Sequence, residues 1–124
     1  MDKWERYWIS PKGELVKLGL GQQHSSYAKE YYEIKGVNIT PGDATQKLLD
    51  SGWLRIQVGE DYIAIEGKES EISEHGSLAV NFKPDFKKLV FSFTDTGRFK
   101  QIYRDKVEGW SWGSIVEEAK KGMI

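Results

Sequence analysis

Six segments of the chain alternate hydrophobic and polar residues with a period of two, which is the pattern of a strand with one buried face. Turn-forming residues separate them in pairs, at 10–13, 59–61 and 83–85, so the pattern predicts three β-hairpins. The six predicted strands are 5–9, 14–18, 53–58, 62–66, 78–82 and 89–93.

Four other segments carry hydrophobic residues at helical spacing and predict helices. They lie at about 25–35, 41–51, 96–107 and 111–121. The polar segment 68–76 fits either a short helix or a loop. Hairpins and helices follow one another without a repeat or a linker-like change in composition. We therefore predict a single compact α+β domain, residues 1–124, with a mainly antiparallel sheet and about four helices.

The helix that begins at Pro41 is the best specified element of the chain. Thr40 is a favourable N-cap, and proline suits the first helical position because its missing N–H has no helical partner. Gly52 supplies the left-handed residue that ends many helices. Capping, helix termination and the start of a strand explain the residues from Thr40 to Ile56. This run therefore indicates a structure and does not by itself indicate a function.

Composition narrows the class of protein. With 39% hydrophobic and 30% charged residues, the chain is expected to fold. The absence of cysteine excludes disulfides, thiolate nucleophiles and cysteine zinc sites. No apolar run reaches the length of a signal peptide core or a membrane span, so we expect a cytoplasmic protein without a membrane partner.

Charge is segregated along the chain although the net charge is only −1. Residues 60–75 hold six acidic residues and one lysine, and residues 83–106 hold seven basic residues and three acidic ones. The simplest interpretation is two solvated faces, and the functional one is a basic surface for an anionic partner. The candidate binding residues of the basic segment are Lys87, Lys88, Arg98 and Arg104.

Tryptophans supply the other candidate binding residues. Trp53 and Arg55 share one strand face, and an exposed indole beside a guanidinium would suit a stacked base, an anion or a protein hot spot. A tryptophan directly after a helix end commonly packs beneath that helix, so burial of Trp53 is the favoured interpretation. Trp112 is expected in the core by its helical register, whereas Trp4 and Trp110 are the candidates for exposed binding aromatics.

No catalytic or metal-binding signature is present. The two histidines, His24 and His75, lie far apart in polar connectors without a ligand at helical spacing. Segment 19–24 joins a predicted strand to a predicted helix as phosphate-binding loops do, but His24 occupies the third glycine position, and a simple bend explains the segment better. We assign no catalytic residue, metal or cofactor and expect a non-enzyme. His24 is kept as a candidate binding residue, and a small enzyme using His24 and Arg55 is the last-ranked alternative.

Segment 25–66 has the order helix, turn, helix and hairpin, which is that of a winged helix-turn-helix. Its recognition helix would carry Asp43 and Asp50, and its wing tip would carry Glu60 and Asp61, where phosphates require basic residues. DNA binding through this segment is therefore disfavoured. We keep it as an alternative function, together with nucleic-acid binding through segment 83–106.

Several short motifs follow one another over the first half of the chain. They are W-I-S-P-K-G-E-L from Trp8 to Leu15, His24 followed by Tyr27 and Ala28, Asp43-Ala44 followed by Leu48-Leu49, and G-W-L-R-I from Gly52 to Ile56. In this order, to Gly67, the sequence resembles a group of small uncharacterised proteins and domains of bacteriophages and mobile elements. The resemblance implies an intracellular accessory protein that binds host or viral macromolecules, and it implies no reaction. If the protein is viral, we expect it in the host cell cytoplasm.

These observations together predict a non-enzymatic binding protein that acts by protein–protein interaction. Exposed aromatic residues and the basic segment 83–106 would form its binding surface, with a host or viral protein as the partner. Nucleic acid is the alternative partner, and steep weakening by salt would distinguish it. The sequence gives no prediction of the oligomeric state.

Overall fold

The structure is a computed structural model that describes residues 4–16 and 41–121, and for Val16 and residues 41–44 the backbone alone. The described residues form an α+β fold, as predicted. The strands are β1 Glu5–Ile9, β2 Leu15–Val16, β3 Leu54–Val58, β4 Tyr62–Gly67, β5 Lys88–Phe93 and β6 Arg98–Tyr103. The helices are α1 Pro41–Asp50, α2 Glu69–His75, α3 Arg104–Val107 and α4 Trp112–Lys120, with a 3₁₀ helix, Gly76–Phe82, directly after α2.

The strands form one six-stranded sheet in the order β2-β1-β3-β4-β5-β6. All neighbours are antiparallel except β4 and β5, which are parallel. A parallel pair needs a crossover connection, and here α2 and the 3₁₀ helix provide it. The two hairpins β3–β4 and β5–β6 are thereby placed side by side.

The main core lies on one face of this sheet. Residues at alternate strand positions point toward it, and α2, the 3₁₀ helix and α4 cover them. The largest fully buried members of this core are Phe91, Phe93, Ile9, Leu54, Ile56, Ile63, Ile65, Ile72, Leu89 and Val116.

A second group of buried residues lies outside the main core, namely Trp8, Leu48, Leu49 and Trp53. Trp8 and Trp53 each precede a residue of the main core, so their side chains point to the opposite face of the sheet. Helix α1 contacts β3 and β4 and carries the two leucines. The opposite face is thus covered at the β1–β3 end.

Local signals in the sequence give the correct ends for two helices. Helix α1 begins at Pro41 and is followed by Gly52 at φ 96°, as the sequence predicts. Helix α4 is capped by Ser111, whose side chain accepts a hydrogen bond from the N–H of Ser114. The first two hairpins also form, because β1 pairs with β2 and β3 with β4.

The third predicted hairpin is wrong. Residues 78–82 belong to the 3₁₀ helix Gly76–Phe82, and β5 pairs instead with β4 and β6. Within the 3₁₀ helix Ala79 is buried while Val80 and Phe82 pack against the core, so the apolar residues serve the core without forming a strand. Segment 68–76, whose sequence fits either a helix or a loop, contains the helix α2.

The predicted helix 96–107 is also wrong. Residues Arg98–Tyr103 form β6, and only the short helix Arg104–Val107 follows. Thr94 and Asp95 are part of the turn between β5 and β6, which Gly97 closes at φ 69°. The predicted helix 25–35, segment 19–24 and Thr40 lie outside the described residues.

Candidate interaction site

Trp110 is displayed by a tight turn between α3 and α4. Its backbone N–H donates to the C=O of Val107 at 2.9 Å. Glu108 has φ −58° and ψ 128°, and Gly109 has φ 85°, which are the angles of a type II turn. Glycine is needed at that third position, because other residues rarely adopt a positive φ. The turn leaves Trp110 41% exposed, in agreement with its predicted exposure.

Trp110 forms one wall of an apolar groove with a volume of about 270 Å³. Most of the other lining side chains are apolar, namely Val80, Phe86, Val107, Trp112 and Ile115. Trp112 anchors the groove to the core, since its indole N–H donates to the C=O of Ile72 at 2.9 Å and its ring packs on Phe91 at a centroid distance of 5.7 Å. The groove is therefore attached to the main core.

Arg104 separates this groove from a larger cleft. Its guanidinium lies over the ring of Phe86, with 5.1 Å between the guanidinium carbon and the ring centroid. It also donates hydrogen bonds to the C=O groups of Pro84 and Phe86, so it holds the 84–86 loop in place. Arg104, Phe86 and Glu108 line both cavities, which makes the groove and the cleft neighbours.

The larger cleft has a volume of about 600 Å³ and brings together three of the predicted basic residues, Lys87, Lys88 and Arg104. Tyr103 lines it as well and is largely exposed. Four carboxylates share the cleft, those of Asp61, Asp85, Asp105 and Glu108. The cleft is thus a mixture of both charges, and a phosphate-rich ligand would meet repulsion as well as attraction there.

Arg98 does not join this cleft. It lies opposite Phe93, at the end of the β5–β6 hairpin away from Lys88, which pairs with Tyr103. Five residues of strand separate the two ends, a distance of roughly 17 Å. Two other lysines of segment 83–106 are partly neutralised, because Lys83 lies 3.4 Å from Asp85 and Lys106 lies 2.9 Å from Glu118. Segment 83–106 therefore does not form one continuous basic surface.

Trp53 and Arg55 do not form an exposed pair. Trp53 is buried, as the sequence favoured. Arg55 forms an ion pair with Glu66 on the neighbouring strand β4, and about a quarter of each side chain is exposed. The guanidinium is therefore occupied by a carboxylate within the sheet.

Trp4 contacts Arg6, whose guanidinium carbon lies 4.5 Å from the indole centroid. Arg6 also donates to the side-chain oxygen of Gln57 at 2.8 Å. Burial, and next the nearby charge of Arg55, lower the pKa of Arg6 to about 10. Trp4 is half-buried, so it is less available than Trp110.

The enzyme alternative finds no assembled site in the described residues. His24 lies outside them. His75 lies on α2, against the core face of the sheet, whereas Arg55 lies on the opposite face. The Nε2 atom of His75 is 3.1 Å from the C=O of Pro11.

His75 does lie near two carboxylates, those of Glu71 and Glu74, with possible ligand atoms within 4.8 Å of one another. Glu74 is exposed, and both ring nitrogens of His75 face the β1–β2 turn, Nε2 at Pro11 and Nδ1 at Gly13. Acidic groups of this kind are common at protein surfaces without an ion, and we assign no metal to them.

The winged-helix interpretation does not fit the described topology. A wing projects from its domain, but β3 and β4 are central strands, paired with β1 on one side and β5 on the other. The acidic turn Gly59–Asp61 closes this hairpin at one end of the strands, and the backbone C=O of Asp61 accepts hydrogen bonds from the N–H groups of Lys87 and Lys88. DNA binding through segment 25–66 thus loses its structural basis in residues 41–66.

Sequence reasoning missed Phe86 and the Glu108-Gly109 turn as parts of the site. A signal for the turn was present, because glycine two residues before an N-cap serine leaves room for a type II turn. No comparable signal identifies Phe86, which reaches the groove only through the pairing of β5 with β6.

Comparison with known protein families gave no matching family model, and comparison with curated proteins and with solved structures gave no match either. Of the described helices the longest has ten residues, and none is long and apolar enough to cross a membrane.

Proposed function

We propose that this protein is a non-enzymatic binding protein whose partner is another protein, bound at the Trp110 groove. The observation that carries the proposal is an exposed tryptophan at the wall of an apolar groove, with an arginine beside it. Tryptophan and arginine dominate the binding energy of protein interfaces, particularly where they border a pocket that excludes water. A groove of this size would take one or two apolar side chains of a partner segment.

The charged cleft next to the groove would bind the polar flank of the same segment. Its lysines and carboxylates suit a partner of mixed charge, which is the usual composition of an interface rim. The resemblance to phage and mobile-element proteins supports a host or viral protein as the partner. Nucleic acid remains the alternative partner, bound through Lys87, Lys88 and Arg98. It is less favoured, because four carboxylates share the cleft and because Arg98 lies at the other end of the β5–β6 hairpin.

Affinity capture with matched variants tests this proposal. The bait proteins are the wild type, Trp110→Ala, and Leu15→Ala, which truncates an exposed leucine on β2 at the opposite edge of the sheet. We expect a stoichiometric protein that survives nuclease treatment, is retained by Leu15→Ala and is lost with Trp110→Ala. Its dissociation constant should change little between low and high salt.

Two results would count against the proposal. Equal retention by Trp110→Ala and the wild type would remove the groove from the interface. Loss of all bound material on nuclease treatment, with a steep dependence of affinity on salt, would favour nucleic acid.

A further inference from the structure

Strand β6 is an edge of the sheet that the described residues form. Among the described strands it pairs with β5 alone, whereas the opposite edge is the two-residue strand β2. β6 is six residues long, contains no proline and pairs with β5 without a bulge. Natural proteins usually shorten, bend, cover or charge such edges, because unpaired backbone groups attract another strand. Of these protections, β6 shows in residues 41–121 only charge, at Arg98 and Lys100.

The phase of the β5–β6 ladder determines which backbone groups face outward. The N–H of Arg104 donates to the C=O of Lys87 at 2.8 Å, so this is a hydrogen-bonded pair. Because hydrogen-bonded and non-hydrogen-bonded pairs alternate, residues 98, 100 and 102 are bonded to β5. The backbone groups directed to the open edge are those of Phe99, Gln101 and Tyr103.

The side chains at these three positions are also accessible. Phe99 is 68% exposed and Tyr103 is 57% exposed, and Gln101 between them is exposed as well. All three point to the face of the sheet opposite the main core, because Ile102 points into it. An edge strand that presents two exposed aromatic rings is a surface of the kind that other chains cover.

We propose that two copies of this chain associate through β6, which pairs antiparallel with β6 of the second copy about a two-fold axis at Gln101. In this register Gln101 lies opposite Gln101 of the second copy, and Phe99 lies opposite Tyr103, twice by symmetry. Each residue whose backbone N–H and C=O face the open edge then lies opposite another such residue of the second copy. Aromatic residues in directly opposite positions also stabilise a sheet.

Neighbouring registers satisfy fewer of these conditions. An axis at Lys100 places two lysines opposite each other, which is unfavourable, and leaves Tyr103 without a strand partner. An axis at Ile102 leaves Phe99 without a strand partner.

In the proposed register four backbone hydrogen bonds form between the two copies. Two join the Gln101 residues, and two run from the N–H of Tyr103 to the C=O of Phe99. The C=O of Tyr103 is not counted because this residue is the N-cap of α3.

The absence of cysteine makes a single-cysteine experiment possible. Gln101→Cys would place two thiols opposite each other, with Cα atoms about 5.5 Å apart, within the reach of a disulfide. Lys100→Cys would place them at a diagonal, roughly 8 Å apart and out of reach. Under mild oxidation we expect a disulfide-linked dimer from Gln101→Cys and none from Lys100→Cys. Equal cross-linking of both variants, or cross-linking of Lys100→Cys alone, would overturn the register.

Sedimentation equilibrium tests the association without a cross-link. Gln101→Pro removes an outward N–H that β5 does not use, and proline is tolerated at such edge positions. Gln101→Thr keeps the N–H and is the matched control. We expect a monomer–dimer equilibrium that Gln101→Pro weakens at least about tenfold and Gln101→Thr weakens less than about threefold. Trp110→Ala should leave the equilibrium unchanged. A wild-type chain that stays monomeric at millimolar concentration would refute the proposal.

Discussion

The indole N–H of Trp112 donates a hydrogen bond of 2.9 Å to the backbone C=O of Ile72, and this bond ties α4 to α2 across the top of the main core. The same indole lines the groove beside Trp110. The base of the proposed interface is therefore part of the folded core, while Trp110 itself is presented from the surface. Substitutions at the two tryptophans should separate stability from binding.

Trp112→Phe should lower the free energy of unfolding by about 1–2 kcal/mol, through loss of the hydrogen bond and of part of the buried ring. The C=O of Ile72 keeps the N–H of Gly76 as a donor, so it is not left without a partner. Trp110→Phe, at an exposed position, should change the free energy by less than about 0.5 kcal/mol. Urea unfolding followed by circular dichroism measures both. Equal effects of the two substitutions would contradict the assignment of Trp112 to the core.

Gly76→Ala should destabilise the protein through a contact with Trp112. A β-carbon at this position would lie 2.8 Å from the Cζ2 atom of the indole, and 3.3 Å from a methyl carbon of Ile72. Such overpacking costs about 1–3 kcal/mol. In the Trp112→Phe background the ring atom concerned is absent, so the cost of Gly76→Ala should be smaller by more than about 0.5 kcal/mol. A double-mutant cycle in urea measures this coupling, and strict additivity would show that the indole is not the obstacle.

Gly109→Ala and Gly97→Ala form a matched pair for the Trp110 turn. Both glycines have positive φ, 85° and 69°, and a β-carbon at either would meet no atom within 4 Å. Each substitution should therefore cost about 1–2 kcal/mol from backbone strain alone. Only Gly109→Ala should weaken partner binding, because Gly97 lies in the β5–β6 turn, away from the groove. Affinity of the two variants for the captured partner provides the measurement, and equal weakening by both would contradict the role of the turn.

The ion pair between Arg55 and Glu66 should contribute little to stability and nothing to partner binding. Both side chains are partly exposed and lie on adjacent strands, where such pairs contribute at most about 1 kcal/mol. Arg55→Gln and Glu66→Gln should each lower the free energy of unfolding by up to that amount, with less effect at high salt. Neither should change partner binding. Loss of binding in Arg55→Gln alone would revive the interpretation of Arg55 as an anion-binding residue.

The elements that the sequence predicted correctly are those defined by neighbouring residues. Pro41 and the terminator Gly52 define the two ends of α1 without reference to the rest of the chain. Burial of Trp53 followed from its position directly after such a helix end.

The errors lie where distant pairing overrides local spacing. Helical spacing relates Phe99, Ile102 and Tyr103. Pairing with β5 nevertheless places all three in a strand, in which only Ile102 is buried. The candidate site depends on that pairing, since Phe86 and Arg104 meet only when β5 and β6 are adjacent. The groove depends on this distant pairing, so local spacing along the chain does not predict it.

The ion pair between Glu118 and Lys106 should make stability depend on pH in the acid range. A hydrogen bond from Lys106, and next its charge, hold the pKa of the Glu118 carboxyl below its ordinary value. A carboxyl whose pKa is lower in the folded state stabilises the protein above the unfolded-state pKa, and this contribution is lost as the pH falls through the folded-state value. Carbon-detected NMR titration should show the low pKa of Glu118 in the wild type and a rise in Lys106→Gln. Lys120→Gln is the control, because Lys120 lies 3.0 Å from Glu117 and should leave Glu118 unchanged. A low pKa that persists in Lys106→Gln would mean that another cation holds Glu118.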